Sequence, residues 1–567
     1  MGRKRPEAAV GRRAFIRNGA AGVGATALAG LAPRVVSAQE TTWHREADVV
    51  VVGSGASGLP AAIRARDLGA SVIVVEENFD VGGHGMISQG SVALGGGTSM
   101  QQRHGIEDSA DQVYLENTRP DHVHTRYNDR EVVRAFADHN VEAFDFLVEN
   151  GVRFVDARPH RVPAEGAFTF RRQTVAPWSQ DLNETINNTA GSGLMRALER
   201  SARAKGVEIL LQHRMTRIVR EEPLAGRVLG IACTDLDGGG EVNIRARQAV
   251  IACTGGSSSN LAVRTIYNPL LTEEYQVGCE PYSRQSGDAE QQGMAIGGSL
   301  GATNNMRTES YLALCKPLWI GCRYGYDRWK PGGPVFDKAG ASGMAVSDYQ
   351  DVILVNMLGE RFYDETVGTH LFAMEGAHDP VFDYLAAALS SAVLEVDGVR
   401  HRVGGPIWAV FDADAAVREE WELRHPFVDS ENGYFFQADT LEELAGRLTE
   451  NAYQKHPMPP AALRATVARY NTFVDLGEDR DFGKPEPRYK LQKPPFYAAW
   501  ATPILHDTYA GLRVNGRSQV LDVFGAVIPG FYCAGESAGG FALHGLGRAI
   551  VGGYIAGTNA AEEPTGA

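Results

Sequence analysis

The sequence predicts an α/β fold in which one parallel-sheet domain is assembled from two separated segments of the chain and a smaller α+β domain is inserted between them. Three observations carry that expectation. Val49-Val50-Val51-Val52 runs directly into Gly53-Ser-Gly55-Ala-Ser-Gly58, glycine-punctuated strands return after Pro495, and residues 311–494 have their own alternation of strands and helices. A chain of 567 residues is long enough for two or three domains with sizeable cores.

Four consecutive valines read as a short strand buried on both faces. Where that strand turns into a helix stands G-x-G-x-x-G: Gly53 for the tight turn, Gly55 for close approach of backbone N–H groups to a pyrophosphate, Gly58 for close helix–strand packing. The helix N-terminus then faces the phosphates with its partial positive charge. Ser71 to Val75 makes a second apolar strand, and Glu76, 18 residues after Gly58, stands where an acid accepts ribose hydroxyls. The stretch is a Rossmann-like dinucleotide cradle, with a glycine-rich structural turn as the bland alternative. By itself it suits NAD as well as FAD.

The net charge of −14 argues against a nucleic-acid surface, and the basic residues are concentrated at the start: residues 1–38 hold seven Lys or Arg against one Glu. Arg12-Arg13-Ala-Phe15-Ile-Arg17 resembles the twin-arginine export motif. Gly19 to Leu31 is a weakly apolar run, too short for a membrane span, and Val36-Ser37-Ala38 offers small residues for cleavage. A twin-arginine signal over 1–38, with a basic tail as the alternative, implies a periplasmic or extracellular protein that folds around its cofactor before export. Six cysteines are scattered without C-x-x-C spacing, and neither a C-x-x-C-H haem site nor an iron–sulfur ligand run is present, so an external electron donor or acceptor is expected and no metal.

Along the chain, Gly82-Gly83-His84 to Gln89-Gly90 and Gly95-Gly96-Gly97 suggest backbone lying close to something flat. Asn128 to Gly151 reads as one amphipathic helix, residues 157–190 as a long loop, and Leu194 to Lys205 as a helix. Strands are expected over Val207–Gln212, Val228–Thr234 and Glu241–Arg245. Ala249-Val-Ile-Ala-Cys-Thr254-Gly255-Gly256 repeats the strand-into-glycines pattern, and Ser286-Gly287-Asp288 opens a helix. Between 311 and 336 stand Tyr311, Trp319, Tyr324, Tyr326, Trp329 and Phe336, a cluster that suits either a core or an apolar pocket. Strands at Asp351–Asn356 and Ile407–Phe411, a capping box at Thr440–Glu443 and a helix over Pro460–Leu476 complete the insertion. Gly530-Phe-Tyr-Cys-Ala-Gly535-Glu536 and a helix over Arg548–Ala561 close the second segment.

The cradle with Glu76, Gly82-Gly83, Thr254-Gly255-Gly256, Gly287-Asp288 and Pro529 to Glu536, in this order, resemble the FAD-dependent family of soluble fumarate reductases, urocanate reductases and 3-ketosteroid dehydrogenases over nearly all of residues 45–561. The resemblance implies a Rossmann-like FAD-binding domain in two segments (45–310 and 495–561), an inserted α+β cap domain for substrate (311–494), and a tail (562–567). It implies hydride exchange between flavin N5 and a carbon of a C–C bond activated by a carbonyl or carboxylate. The FAD contacts so implied are Gly53, Gly55, Ala56, Ser57, Gly58, Glu76, Glu77, Gly82, Gly83, His84, Gly90, Thr254, Gly255, Gly256, Asp288, Gly535 and Glu536. In the membrane-bound succinate dehydrogenases a histidine five residues before Gln-Gly carries the flavin covalently. His84 has that spacing, although non-covalent FAD is the leading expectation.

The same resemblance nominates catalytic residues. His544-Gly545-Leu-Gly-Arg548 fits a run whose arginine binds substrate, and His506 fits a histidine ahead of it, with Asp507 where many reductases have a second histidine. Arg418 follows Ala409-Val-Phe-Asp412 as a candidate proton donor, with an exposed helical charge as the alternative. Tyr509 and Tyr497 fall in segments near the flavin in relatives and suit polarising a ketone or abstracting a proton. The His-Pro-Thr and Thr-Glu-x-x-Arg elements of dicarboxylate reductases are missing, and recognition of two carboxylates needs several fixed cationic groups. The leading expectation is therefore an FAD-dependent oxidoreductase of a medium-sized, partly apolar, steroid- or enone-like substrate. A reductase of a small unsaturated carboxylic acid and a non-catalytic flavoprotein electron carrier are the alternatives. Oligomeric state and physiological direction have no signature in the sequence.

Overall fold

A computed structural model of the chain describes residues 41–565 apart from 89, 122–124, 162–170, 176–189, 279, 302–305, 308–317, 327–328, 367–387, 389, 506 and 544. The expected export signal, Tyr311, His506 and His544 lie outside the described residues.

Four valines in a row form a strand because both sides of the sheet are covered. In β1 (Arg45–Val52), Val49 and Val51 enter one apolar cluster and Val50 and Val52 another. Each buried side chain contributes about 1.5–3 kcal/mol. The chain turns at Gly53 into α1 (Gly58–Asp67) and returns as β2 (Val72–Val75), in parallel register beside Val49–Val52. A left-handed Gly82 then opens α2 (Gly83–Ile87).

The single helix expected over Asn128–Gly151 is instead two, α3 (Arg130–Asp138), capped by Asp129, and α4 (Asn140–Glu149). Asn140 accounts for the break. Its amide donates to the Phe136 carbonyl at 2.5 Å and its Oδ1 accepts from the Gly95 N–H at 2.9 Å, local bonds that compete with the helix while the apolar stripe runs on across it. The expected loop over 157–190 contains strands His160–Arg161 and Arg171–Val175, the latter paired with Ser91–Ala93. After α5 (Ala190–Ala204) come β3 (Glu208–Leu210), β4 (His213–Glu222), β5 (Ala225–Asp235) and β6 (Glu241–Ala252). Strand β4 is unexpected, because three arginines and two glutamates dilute its buried Met215, Ile218 and Val219. β6 fuses the two strands expected at 241–245 and 249–252 into one. Two helices follow, α6 (Leu261–Tyr267) and α7 (Asp288–Ala295).

The inserted unit is built on an antiparallel sheet. Its members are β7 (Ile353–Val355), β8 (Trp408–Asp412) with α8 (Ala413–Arg418), β9 (Phe435–Ala438) with α9 (Leu441–Arg447) and α10 (Pro460–Leu476), and β10 (Phe496–Trp500), in the order β7-β8-β10-β9. Residues 496–500 were expected to start the second segment. They lie instead between β8 and β9, Trp500 beside Trp408 and Ala499 beside Phe435, so the inserted sheet reaches Trp500. The chain then returns to the main sheet as β11 (Gln519–Leu521) and β12 (Val527–Cys533) and ends in α11 (Leu546–Ala561).

The main sheet runs β11-β12-β6-β1-β2-β3, with β5 joined to β6 and β4 to β5. Its centre, β12-β6-β1-β2-β3, is parallel. α11 lies against α1 at a separation set by glycine: a methyl on Gly553 would meet the Ser57 carbonyl at 2.1 Å and one on Gly557 the Ala61 carbonyl at 2.3 Å. Three short ladders join the outgoing and returning chain at the boundary of the insertion: Gln276–Val277 with Ile504–Leu505, Leu300–Gly301 with Gly511–Leu512, and Met306–Arg307 with Asp507–Thr508. Among the described residues no helix is long and apolar enough to cross a membrane.

Candidate active site

Three parallel neighbours, β1, β6 and β12, end side by side, with Val52 beside Ala252 and Ala252 beside Cys533. Each runs into glycine: Gly53 after β1, Gly255-Gly256 after β6, Gly535 after β12. A crevice at the carboxyl ends of parallel strands is where such sheets bind ligands. At Gly53, with φ of +98°, a methyl would lie 2.2 Å from the Cys253 carbonyl, and one on Gly58 would lie 1.9 Å from the Gly53 carbonyl. Gly55 differs, its nearest obstacle being the Gly82 carbonyl at 3.8 Å, which leaves its side of the loop open to a ligand. The first turn of α1 carries no acid, so nothing there opposes a phosphate.

Glu76 is buried at the end of β2 and binds the cradle itself. Its Oε2 accepts from Ser54 N at 2.8 Å and Ser54 Oγ at 2.6 Å, and its Oε1 accepts from Asn78 N at 2.9 Å. A carboxylate has about four acceptor sites, so one remains for a ribose hydroxyl. Burial pushes its pKa up, against the hydrogen bonds from Ser54 and Asn78. Glu77 faces Arg284 at 3.9 Å. Gly90, at φ of +68°, leads into the Ser91–Ala93 strand, and a methyl on Gly547 of α11 would lie 2.5 Å from the Ala93 carbonyl.

From the far end of the chain, Glu536 comes to Gly256, where a methyl would meet Thr508 Oγ1 at 2.0 Å and Glu536 Oε2 at 2.8 Å. Gln285 links Glu536 to His84. Its Nε2 lies 2.7 Å from Glu536 Oε2 and 3.2 Å from His84 Nδ1. The amide is assigned this way round because its flipped form would set oxygen against oxygen; His84 Nδ1 is then the acceptor, and Nε2 carries the proton toward the Ser283 carbonyl at 3.4 Å. Thr254 Oγ1 meets Ser537 Oγ at 3.3 Å and accepts from Ala289 N at 3.2 Å. Asp288 is gripped by Arg214 through two bonds of 3.0 and 3.1 Å.

Arg548 is buried in the first turn of α11. Its guanidinium donates to the Phe541 carbonyl at 2.5 Å and the Thr508 carbonyl at 3.0 Å, and lies 5.2 Å from the ring centroid of the fully buried Tyr509. Arg548 and Tyr509 thus meet in the loops that follow the cofactor crevice. Tyr497 and Arg418 are engaged elsewhere. Tyr497 stacks on Phe411 and Phe435, at 5.1 and 5.7 Å, in the core of the inserted sheet, because β10 belongs there. Arg418 pairs with Asp351 at 2.5 Å and lies 4.0 Å over the Tyr489 ring. The aromatic stretch divides: Tyr326, Trp329 and Phe336 are buried in the main-domain core, Tyr326 donating to the Ile87 carbonyl of α2 at 3.3 Å, whereas Trp319 and Tyr324 lie at its margin.

Ser54, Gln285 and Thr508 escaped the sequence reading. Ser54 had a signal, as the side chain between the first two glycines, and Thr508 had one in the His-x-Thr-x-Gly-Gly segment of the family that His506-Asp507-Thr508-Tyr509-Ala510-Gly511 resembles; Gln285 had none. The residues present fit FAD: a cradle closed to side chains except toward the ligand, an acid with one acceptor site remaining, and glycines from three strands at one crevice.

Comparison with known proteins gives the same answer. A family profile described as "FAD binding domain" matches residues 48–548. The NADH:acrylate oxidoreductase of Vibrio harveyi is 26% identical over 560 residues, taking in 92% of this chain, which spans 50% of that relative's length. The vinyl phenol reductase of Lactiplantibacillus plantarum is 27% identical over 514 residues, 88% of this chain and 91% of the relative. The open conformation of a flavocytochrome c3 fumarate reductase has the same fold, with a TM-score of 0.61 at 22% identity over 99% of this chain and 83% of that one. With a profile that reaches from Asp48 to Arg548 and a crevice that fits the cofactor, this chain belongs to the FAD binding domain family and is an FAD-dependent oxidoreductase.

Proposed function

We propose that the enzyme exchanges a hydride between FAD and a C–C bond conjugated to a single carbonyl or carboxylate, in a medium-sized substrate whose remainder is apolar. The observation that carries this reading is the Arg548–Tyr509 pair: one guanidinium, fixed by the Phe541 and Thr508 carbonyls over a phenol ring. One cation suits one carbonyl oxygen, whereas two carboxylates call for more. The name of the vinyl phenol reductase gives a ring-bearing alkene, in keeping with an apolar remainder; its double bond is conjugated to the ring and not to a carbonyl. FAD supplies the hydride or takes it up. Arg548 orients and polarises the carbonyl, and the Tyr509 hydroxyl is the candidate for moving a proton.

The name of the acrylate oxidoreductase favours a second reading, in which the substrate is a small unsaturated acid. Anaerobic stopped-flow separates the two. Reduced enzyme is mixed with aromatic enones, ring-bearing enoic acids, acrylate and fumarate, and flavin reoxidation is followed. Fastest reoxidation by the ring-bearing compounds is expected; saturating turnover with acrylate alone would overturn the first reading. Arg548→Lys is expected to keep its FAD and lose about a hundredfold or more in kcat/KM, since an ammonium cannot reproduce the fork held by two carbonyls.

Two further elements belong to this reading. FAD is held without a covalent bond, and acid-denatured protein should release all its yellow colour. Residues 1–38 direct export by the twin-arginine route, so replacing Arg12 and Arg13 by Lys should retain the protein in the cytoplasm. An external electron donor completes the cycle.

A further inference from the structure

Glu290, in α7, is fully buried, and neither carboxyl oxygen has a hydrogen-bond partner among the described residues. It packs beside the turn that β6 sends into the cofactor crevice. The start of α7 is tied to that turn by Gly287 N to the Gly256 carbonyl at 3.1 Å and by Ala289 N to Thr254 Oγ1 at 3.2 Å. A methyl on Gly287 would lie 3.0 Å from Ser257 Cβ. Ser257 Oγ is likewise buried without a partner.

The groups that act on Glu290 come from several elements, and among the described residues they include acids, a phenol and a thiol. Asp288 lies on the same helix with its charge answered by Arg214 of β4, Glu536 follows β12, Tyr267 comes from α6, and the Cys533 thiol ends β12. Burial pushes the Glu290 pKa up to about 8 against its own backbone N–H and the nearby Ser257 hydroxyl, with Asp288 and Glu536 adding smaller upward pushes. An anion at this place would stand in a dry pocket beside the turn that β6 sends into the cofactor crevice.

We propose that Glu290 is a proton-controlled positioning residue for the cofactor: as the neutral acid it lets the Thr254–Ser257 turn lie against FAD, and as the anion it displaces the turn and releases the cofactor. Glu290 acts through Ser257 and the turn, not by touching FAD. The inference concerns cofactor retention and is independent of which substrate the enzyme uses.

The test is release of FAD from the holoenzyme across neutral to alkaline pH at fixed ionic strength, by equilibrium ultrafiltration and the fluorescence of freed flavin. In the wild type the apparent Kd should stay level up to about pH 8 and rise above it toward about tenfold per pH unit. Glu290→Gln, with the same shape and no charge, should hold its Kd level over the whole range. A flat wild-type profile, or a parallel rise in the variant, overturns the proposal. Wild-type protein alone gives a second readout if the variant fails to fold. The infrared carbonyl band of a protonated carboxylic acid should vanish in step with FAD release, and a band that persists after FAD has left would refute the mechanism.

Discussion

Glu76 and Glu290 are both buried carboxyls without a cationic partner, yet their surroundings treat them differently. Glu76 accepts three hydrogen bonds and anchors the cradle, whereas Glu290 accepts none. For Glu290 the consequence reaches stability. Its folded-state pKa is near 8 against an ordinary 4.5, so between those values the unfolded chain sheds a proton that the folded chain keeps. The residue therefore weakens the fold progressively as pH rises through that window and by a constant amount above it, on the order of 5 kcal/mol. Glu290→Gln should gain stability over wild type between pH 5 and pH 8 in urea titrations of the holoenzyme, and an equal difference at both pH values would contradict the burial argument. Glu76 was legible in the sequence because its role follows from distance along the chain to a glycine motif. Gln285 and Glu290 were not, since what each does depends on neighbours delivered from other strands.

Elements were legible where one local cause sets them. The α10 helix over Pro460–Leu476 has its proline at the start and a left-handed Gly477 at the end, and it was read to the residue. The α3–α4 break was hidden because Asn140 interrupts a pattern that is apolar on both sides, and β4 because charged side chains outnumber the residues it buries. The crossing of α1 and α11 is the element contact on which the cradle depends, since α1 carries the N-terminus aimed at the phosphates. Gly557→Ala should force the helices apart and cost about 3 kcal/mol together with FAD content. Gly446→Ala in α9, where a methyl meets nothing within 4 Å, should instead stabilise by about 0.5–1 kcal/mol. Thermal melts and flavin absorbance of the two variants provide the check, and similar losses in both would remove the steric explanation.

At the scale of the whole molecule, the joining of both ends of the chain in one sheet was legible because glycine-terminated strands recur at both ends; the place where the chain returns was not, because Phe496–Trp500 is apolar enough to suit either sheet. The inserted unit has a buried ionic centre. Arg361 binds Glu365 at 2.7 Å and Asp479 at 2.8 Å, and Lys484 lies 3.5 Å from Glu365. Burial alone would raise the Glu365 pKa, but the Arg361 and Lys484 charges hold it below its ordinary value. Glu365→Ala takes the carboxylate from the buried Lys484 and leaves Arg361 with Asp479, and should lower stability by about 3–5 kcal/mol. Tryptophan fluorescence during urea unfolding, to which the buried Trp408 and Trp500 contribute, measures the loss; an unchanged midpoint would show the centre to be dispensable.

Arg307 and Asp507 are register partners across one antiparallel ladder, so the chain leaves the flavin domain and re-enters it at adjacent points. The intervening residues 308–506 form a stretch with its two ends already joined at the base. The join is not at that ladder alone, because Tyr326, Trp329 and Phe336 of the stretch are buried in the core of the flavin domain. The stretch is therefore tied to the flavin domain both at its base and through buried side chains, while the candidate substrate pair Arg548–Tyr509 stays outside it.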